Sequence, residues 1–100
     1  MKQTEYQKDL IKSLKDPEEA AAYLNAAMEE GDRETFLLAL RNIAEANGGI
    51  KAVAEKSHLN RESLYRTLSR RGNPEIKTLF NLLPQMGLKL SVEPAHTARA

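Results

Sequence analysis

Cysteine is absent from this chain of 100 residues. That excludes disulfides, Cys-based zinc sites and a thiol nucleophile, and it is compatible with a reducing compartment. No stretch approaches the roughly 20 apolar residues of a membrane span, and Met1 to Lys15 holds no unbroken apolar run of the secretory kind. The expectation is a soluble, cytoplasmic protein with no membrane partner. Phosphate-cradling glycine loops, GxGxxG and metal-type Cys/His spacing are also missing. Of the two histidines, His58 falls in an expected tight turn and His96 in an expected tail, and neither has a base, nucleophile or ligand set beside it. The adjacent acids Glu18-Glu19 and Glu29-Glu30 point in different directions on a helix and build no metal site. No catalytic residues, metal or cofactor are therefore expected.

A net charge of +1 says little as a total, but its distribution is uneven. Residues 1–50 carry six Lys/Arg against ten Asp/Glu, a net of −4; residues 51–71 carry six against two, a net of +4; the rest carry three against two. A basic segment following an acidic half is the pattern of a nucleic-acid reader whose other end faces elsewhere.

Local signals divide the chain into helices. Residues 1–15 form an N-terminal arm or short helix, with Tyr6, Leu10, Ile11 and Leu14 loosely amphipathic. Asp16-Pro17-Glu18-Glu19 combines an N-cap, proline at the first helical position and acids in the first turn, and predicts a helix to about Glu30, stopped by Gly31. Asp32 caps a further helix to about Ala46, whose Phe36, Leu40, Ile43 and Ala44 make a core stripe packing on Ala20, Leu24 and Ala27. Gly72-Asn73-Pro74-Glu75 starts a helix expected to bury Ile76, Leu79, Phe80 and Leu83, with Pro84 bending or ending its last turn and Gly87 closing it. Beyond Gly87, Leu88, Leu90 and Val92 alternate with polar residues at the period of a half-buried strand. A lone strand needs a partner, so these three are the candidate dimerisation residues, pairing with their twin or another protein, and the alternative is an extended tail lying on the core. Residues 94–100 read as a disordered tail, leaving 16–93 as the domain.

The central stretch is Ile50 to Arg71. Ile50, Val53 and Ala54 share a helical face continued by Ser57, and the pattern breaks at His58-Leu59. Asn60 then caps a second helix in which Leu64 and Leu68 face inward. Asn60, Arg61, Glu62, Tyr65, Arg66 and Ser69 are left as candidates for reading base edges, and Lys51, Lys56, Arg70 and Arg71 as candidates for phosphate. The B-DNA major groove, about 12 Å wide, admits one helix, and an arginine guanidinium bonds guanine O6 and N7 bidentately. Phosphate contacts fix register without reading sequence.

Val53-Ala54, Leu59, Leu64 and NPEIKTLFNLLPQMGL resemble the lambda-repressor-like, Xre-type helix-turn-helix class. DPEEAAAYLNAAMEEGD and LRNIAEANGGIKAVAEKSHLNRESLYRTLS resemble the antidote (antitoxin, HigA-like) component of small bacterial addiction modules, a likeness running from about Tyr6 to Pro94. The resemblance implies an all-α fold, here a bundle of about five helices with a short C-terminal β-strand. It also implies a dimeric repressor that binds a palindromic operator in double-stranded DNA, neutralises a RelE/HigB-like toxin and represses its own operon. The toxin is expected to meet the acidic N-terminal half. Two positions depart from the class: His58 stands where glycine is usual, and Thr67 where many relatives have an aliphatic residue. A phage or host Xre-type repressor without a toxin is the alternative, and a protein-interaction module without DNA binding is a second.

Overall fold

A computed structural model of the protein describes residues 4–95. Six α-helices follow one another: α1 (Glu5–Ser13), α2 (Pro17–Glu29), α3 (Arg33–Ala46), α4 (Ile50–Ser57), α5 (Arg61–Thr67) and α6 (Ile76–Leu82), the last running into a 3-10 turn (Leu83–Met86). Their starts are chemically explicit. Thr4, Asp16, Asp32 and Asn60 each accept a first-turn backbone N–H on a side-chain oxygen, supplying one of the donors that every helix start leaves unpaired. Their ends are equally local. Gly48, His58 and Gly87 all take the left-handed conformation. At each, the next residue's N–H reaches back five positions, as in Gly49 to the Ala44 carbonyl, Leu59 to Ala54 and Leu88 to Leu83, all at 2.9 Å.

The central element is α3. Leu37, Leu40, Ile43 and Ala44 are wholly buried and Ala39 and Ala46 nearly so, which means apolar residues line more than one face. This lets α1, α2 and α4 pack on different sides of one helix, while α4 also holds α5, α6 and the 3-10 turn. Each large side chain removed from water here contributes roughly 1.5–3 kcal/mol. The N-terminal arm thus folds as α1, with Leu14 buried in the common core and Leu10 and Ile11 against it. A polar chain fastens it: Gln7 Nε2 donates to Asn42 Oδ1 at 3.1 Å, and Asn42 Nδ2 donates to the Tyr23 hydroxyl at 2.8 Å. Asn42 is buried, so both of its amide ends having partners removes the desolvation cost of an unpaired group.

Three expectations need correction. The helix after Gly72 begins at Ile76 and not at Pro74, and it presents a different edge to the core: Leu79, Leu82, Leu83 and Met86 are buried, whereas Ile76 and Phe80 are 59% and 61% exposed. Phe36 is only half-buried, because Leu37 takes the inward position beside Leu40. Among the described residues there is no strand. Leu88 packs against the core, but residues 89–95 run without regular structure and Val92 is 97% exposed. The physical reason is the one that applies to any single strand: alternation alone supplies no partner for its backbone groups. Pro84 behaves as its missing N–H dictates, the α-helix tightening to 3-10 around it. His96 and the rest of the expected tail beyond Ala95 lie outside the described residues.

Candidate nucleic-acid interface

Helices α4 and α5 pack together across a corner of three residues, His58 to Asn60. The corner turns because His58 sits at φ 57° and ψ 40°, a region unfavourable to most side chains but less so to histidine. Val53 and Ala54 on α4 are wholly buried, as are Leu64 and Leu68 at and just past α5 to within 2%. Alanine at 54 permits a close approach, since a larger side chain would force these short helices apart. With Leu64 and Leu68 committed inward, Arg61, Glu62, Tyr65 and Arg66 are all exposed, Tyr65 by 51%, with Glu62 and Arg66 on the side away from the leucines and Arg61 and Tyr65 on the adjoining flank. Arg61 and Tyr65 stand four apart, as do Glu62 and Arg66, so the four form two neighbouring rows along the exposed surface of α5.

The other expected residues are placed less uniformly. Asn60 Oδ1 accepts the Ser63 N–H at 2.8 Å. Bidentate recognition of adenine needs both the oxygen and the amide of an asparagine, and the cap takes one lone pair of Oδ1 and holds the side chain over its own first turn. Ser69 lies beyond the end of α5, half-buried, and its hydroxyl donates to the Arg66 carbonyl at 2.7 Å. Lys51, Lys56 and Arg71 are exposed. Arg70 is exposed too, but its Nε donates to Glu34 Oε1 at 3.2 Å, a solvated ion pair of the kind worth about 0–1 kcal/mol.

Two residues that fix this site carry no local signal in the sequence. Arg41 on α3, half-buried, sends its guanidinium 27 positions along the chain to the Leu68 carbonyl at 2.6 Å. It supplies a charged donor to a carbonyl group that the end of α5 would otherwise leave unpaired. Gly72, buried, folds back under the same end, its N–H on the Ser69 carbonyl at 2.8 Å. A Cβ there would stand 1.8 Å from the Thr67 carbonyl oxygen, so only glycine fits. Ser57 contributes differently: it is buried against the corner with no hydrogen-bond partner for its hydroxyl.

A profile of the family described as "Probable addiction module antidote protein" matches residues 4–94, a span that takes in every helix described above. The chain belongs to this antidote family. A protein of Haemophilus influenzae described as "Uncharacterized protein" is similar to it, 32% identical over 90 residues, with 90% of this chain and 92% of the relative covered. No solved structure matches. For an antidote of an addiction module a toxin partner follows in general. In this antidote no helix among the described residues is long and apolar enough to cross a membrane, and no group of His, Asp and Glu side chains there is arranged to hold a metal. Of the expected dimerisation residues, Leu88 and Leu90 line a groove against α2, while Val92 stands free in solvent.

Proposed function

We propose that this antidote is a dimeric, sequence-specific DNA-binding repressor that silences a RelE/HigB-like toxin and represses its own operon, with α4 and α5 acting as a helix-turn-helix. The observation that carries the proposal is the joint exposure of Arg61, Tyr65 and Arg66 on α5 while Leu64 and Leu68 hold the helix to the core. A helix held from behind by buried leucines, braced at its end by Arg41 and offering arginine outward has what a major groove requires: a rigid rod with planar donors. Arg61 and Arg66 would read guanine, Tyr65 would lie against a thymine methyl or the sugar, and Glu62 would accept from a cytosine amine. Lys51, Lys56 and Arg71 would hold phosphates, joined by Arg70 once its weak pair with Glu34 yields.

Dimerisation would place two α5 helices in successive major grooves, about 34–36 Å apart. Residues 89–92 would supply the contact, pairing edge to edge across the two-fold axis, since among the described residues no backbone hydrogen bond engages them, while the Leu88 and Leu90 side chains stay against their own subunit's α2. Titration of the purified protein with DNA from upstream of its own reading frame tests the proposal. With four phosphate contacts per subunit, log affinity should fall linearly with log salt at a slope of about −3 to −4 per subunit. A flat salt series, or equal binding to unrelated DNA, would refute it. Truncation after Gly87 should weaken self-association in sedimentation; an unchanged dimer would place the interface elsewhere.

A further inference from the structure

An open groove of about 780 Å³ runs between α2 and residues 87–93, away from α4 and α5 in the chain and built by none of their residues. Its floor is apolar, formed by Leu24, Phe36, Leu83, Leu88 and Leu90, and Met28 stands over it 44% exposed. Its rim is acidic: Glu18, Glu29 and Glu93 against the single Lys89. The volume would suit a small molecule, but such sites use a few convergent polar groups to orient their ligand. None of the buried polar side chains, Asn42 and Ser57, lies here. An apolar floor within a charged rim is the anatomy of a site for a protein segment.

Charge selects the occupant. A second copy docking face to face would set Glu18, Glu29 and Glu93 against the same residues of its twin, and nucleic acid would meet the same repulsion. The segment that fits is apolar along one side and flanked by lysine or arginine. We infer that this groove is where the antidote receives its toxin, through an amphipathic basic segment of that protein. The inference rests on the antidote reading and adds the surface: toxin is held by α2 and the C-terminal segment, leaving Arg61, Tyr65 and Arg66 free, so one antidote can hold toxin and operator together.

The test uses the full-length protein and the purified product of the neighbouring reading frame as probe, with affinity measured by calorimetry. Ala21→Arg fills the groove from α2, on which Ala21 is a half-buried wall residue. The double reversal Glu29→Lys with Glu93→Lys changes only exposed rim charges, and lysine at the end of α2 suits the helix dipole. Each variant should lose at least about tenfold in toxin affinity. Melting temperature and operator affinity should stay at the wild-type values. Wild-type toxin binding by both folded variants would overturn the inference while leaving the antidote reading intact. Conversion of a wild-type dimer to monomer by Ala21→Arg would overturn it in favour of a second copy as occupant. Failure of the wild-type protein to bind its neighbour's product would overturn the antidote reading and the inference together.

Discussion

Replacing Gly72 with alanine should damage α5 although none of its exposed side chains is touched. The added methyl carbon would lie 1.8 Å from the Thr67 carbonyl oxygen, 2.5 Å from its carbon and 2.8 Å from the Arg66 carbonyl oxygen. All three atoms are backbone and cannot rotate aside. Gly72 is also outside the positive-φ set, so the effect is steric and not conformational. Overpacking of an ordinary core costs about 1–3 kcal/mol. A clash this close with the end of a helix belongs at the top of that range, and at about 4–8 °C per kcal/mol for a chain of this size, about 3 kcal/mol lowers the melting temperature by roughly 12–24 °C. Gly31→Ala is the control: φ is +73° but nothing lies within 4 Å of its added carbon. It should cost only the left-handed penalty of about 1–2 kcal/mol. Circular dichroism melts of the two variants beside wild type decide the matter. Gly72→Ala melting within a few degrees of wild type, or above Gly31→Ala, would refute the reasoning.

Other outcomes follow from the same geometry. His58→Gly should stabilise by about 0.5–1 kcal/mol, because His58 is exposed and forfeits no packing when its left-handed strain is relieved; a lower denaturant midpoint would count against the strain. Ser57→Ala should stabilise by about 1–2 kcal/mol, since the buried hydroxyl has no partner, and a loss of stability on chemical denaturation would mean that it has one. The Asp32 carboxyl is held below its ordinary value of 3.8, chiefly because the Thr35 hydroxyl donates to it at 2.8 Å. A depressed carboxyl contributes stability above its unfolded value and loses it as pH falls through the folded one. Wild type should therefore lose stability more steeply than Asp32→Ala on acidification below about pH 4; parallel curves would remove Asp32 from the acid transition.

The parts of the fold that could be read from the sequence are those decided within a few residues. Asp16, Asp32 and Asn60 cap their helices because a short side-chain oxygen needs only the next turn's N–H, and His58 turns the corner because its neighbours break the apolar pattern there. The inward pair Leu64 and Leu68 follows from spacing alone. What escaped depends on distant chain. Ile76, Leu79, Phe80 and Leu83 all fall within about 100° of one another on a helix, so the pattern marks an apolar arc without saying which half of it faces the core. The core takes Leu79 and Leu83 and leaves Ile76 and Phe80 in solvent. The alternation at Leu88, Leu90 and Val92 is real, but a strand also needs a partner that alternation does not provide. Arg41 and Gly72 were unreadable because their roles exist only once α3 and the end of α5 come together. Within the candidate site, the outward positions of Arg61, Tyr65 and Arg66 were legible. The Asn60 cap is legible too and draws its Oδ1 toward its own backbone, whereas the bond from the Ser69 hydroxyl to the Arg66 carbonyl carries no sequence signal.

The most direct measurement is the operator affinity of Arg66→Ala. Arg66 is exposed, and none of the ion pairs among the described residues involves it, so its removal should leave the melting temperature unchanged. If it reads a base, affinity for the operator should fall by about 1–3 kcal/mol, or roughly five- to 150-fold, while binding to unrelated DNA changes far less. Operator affinity equal to wild type in a folded variant would contradict the account.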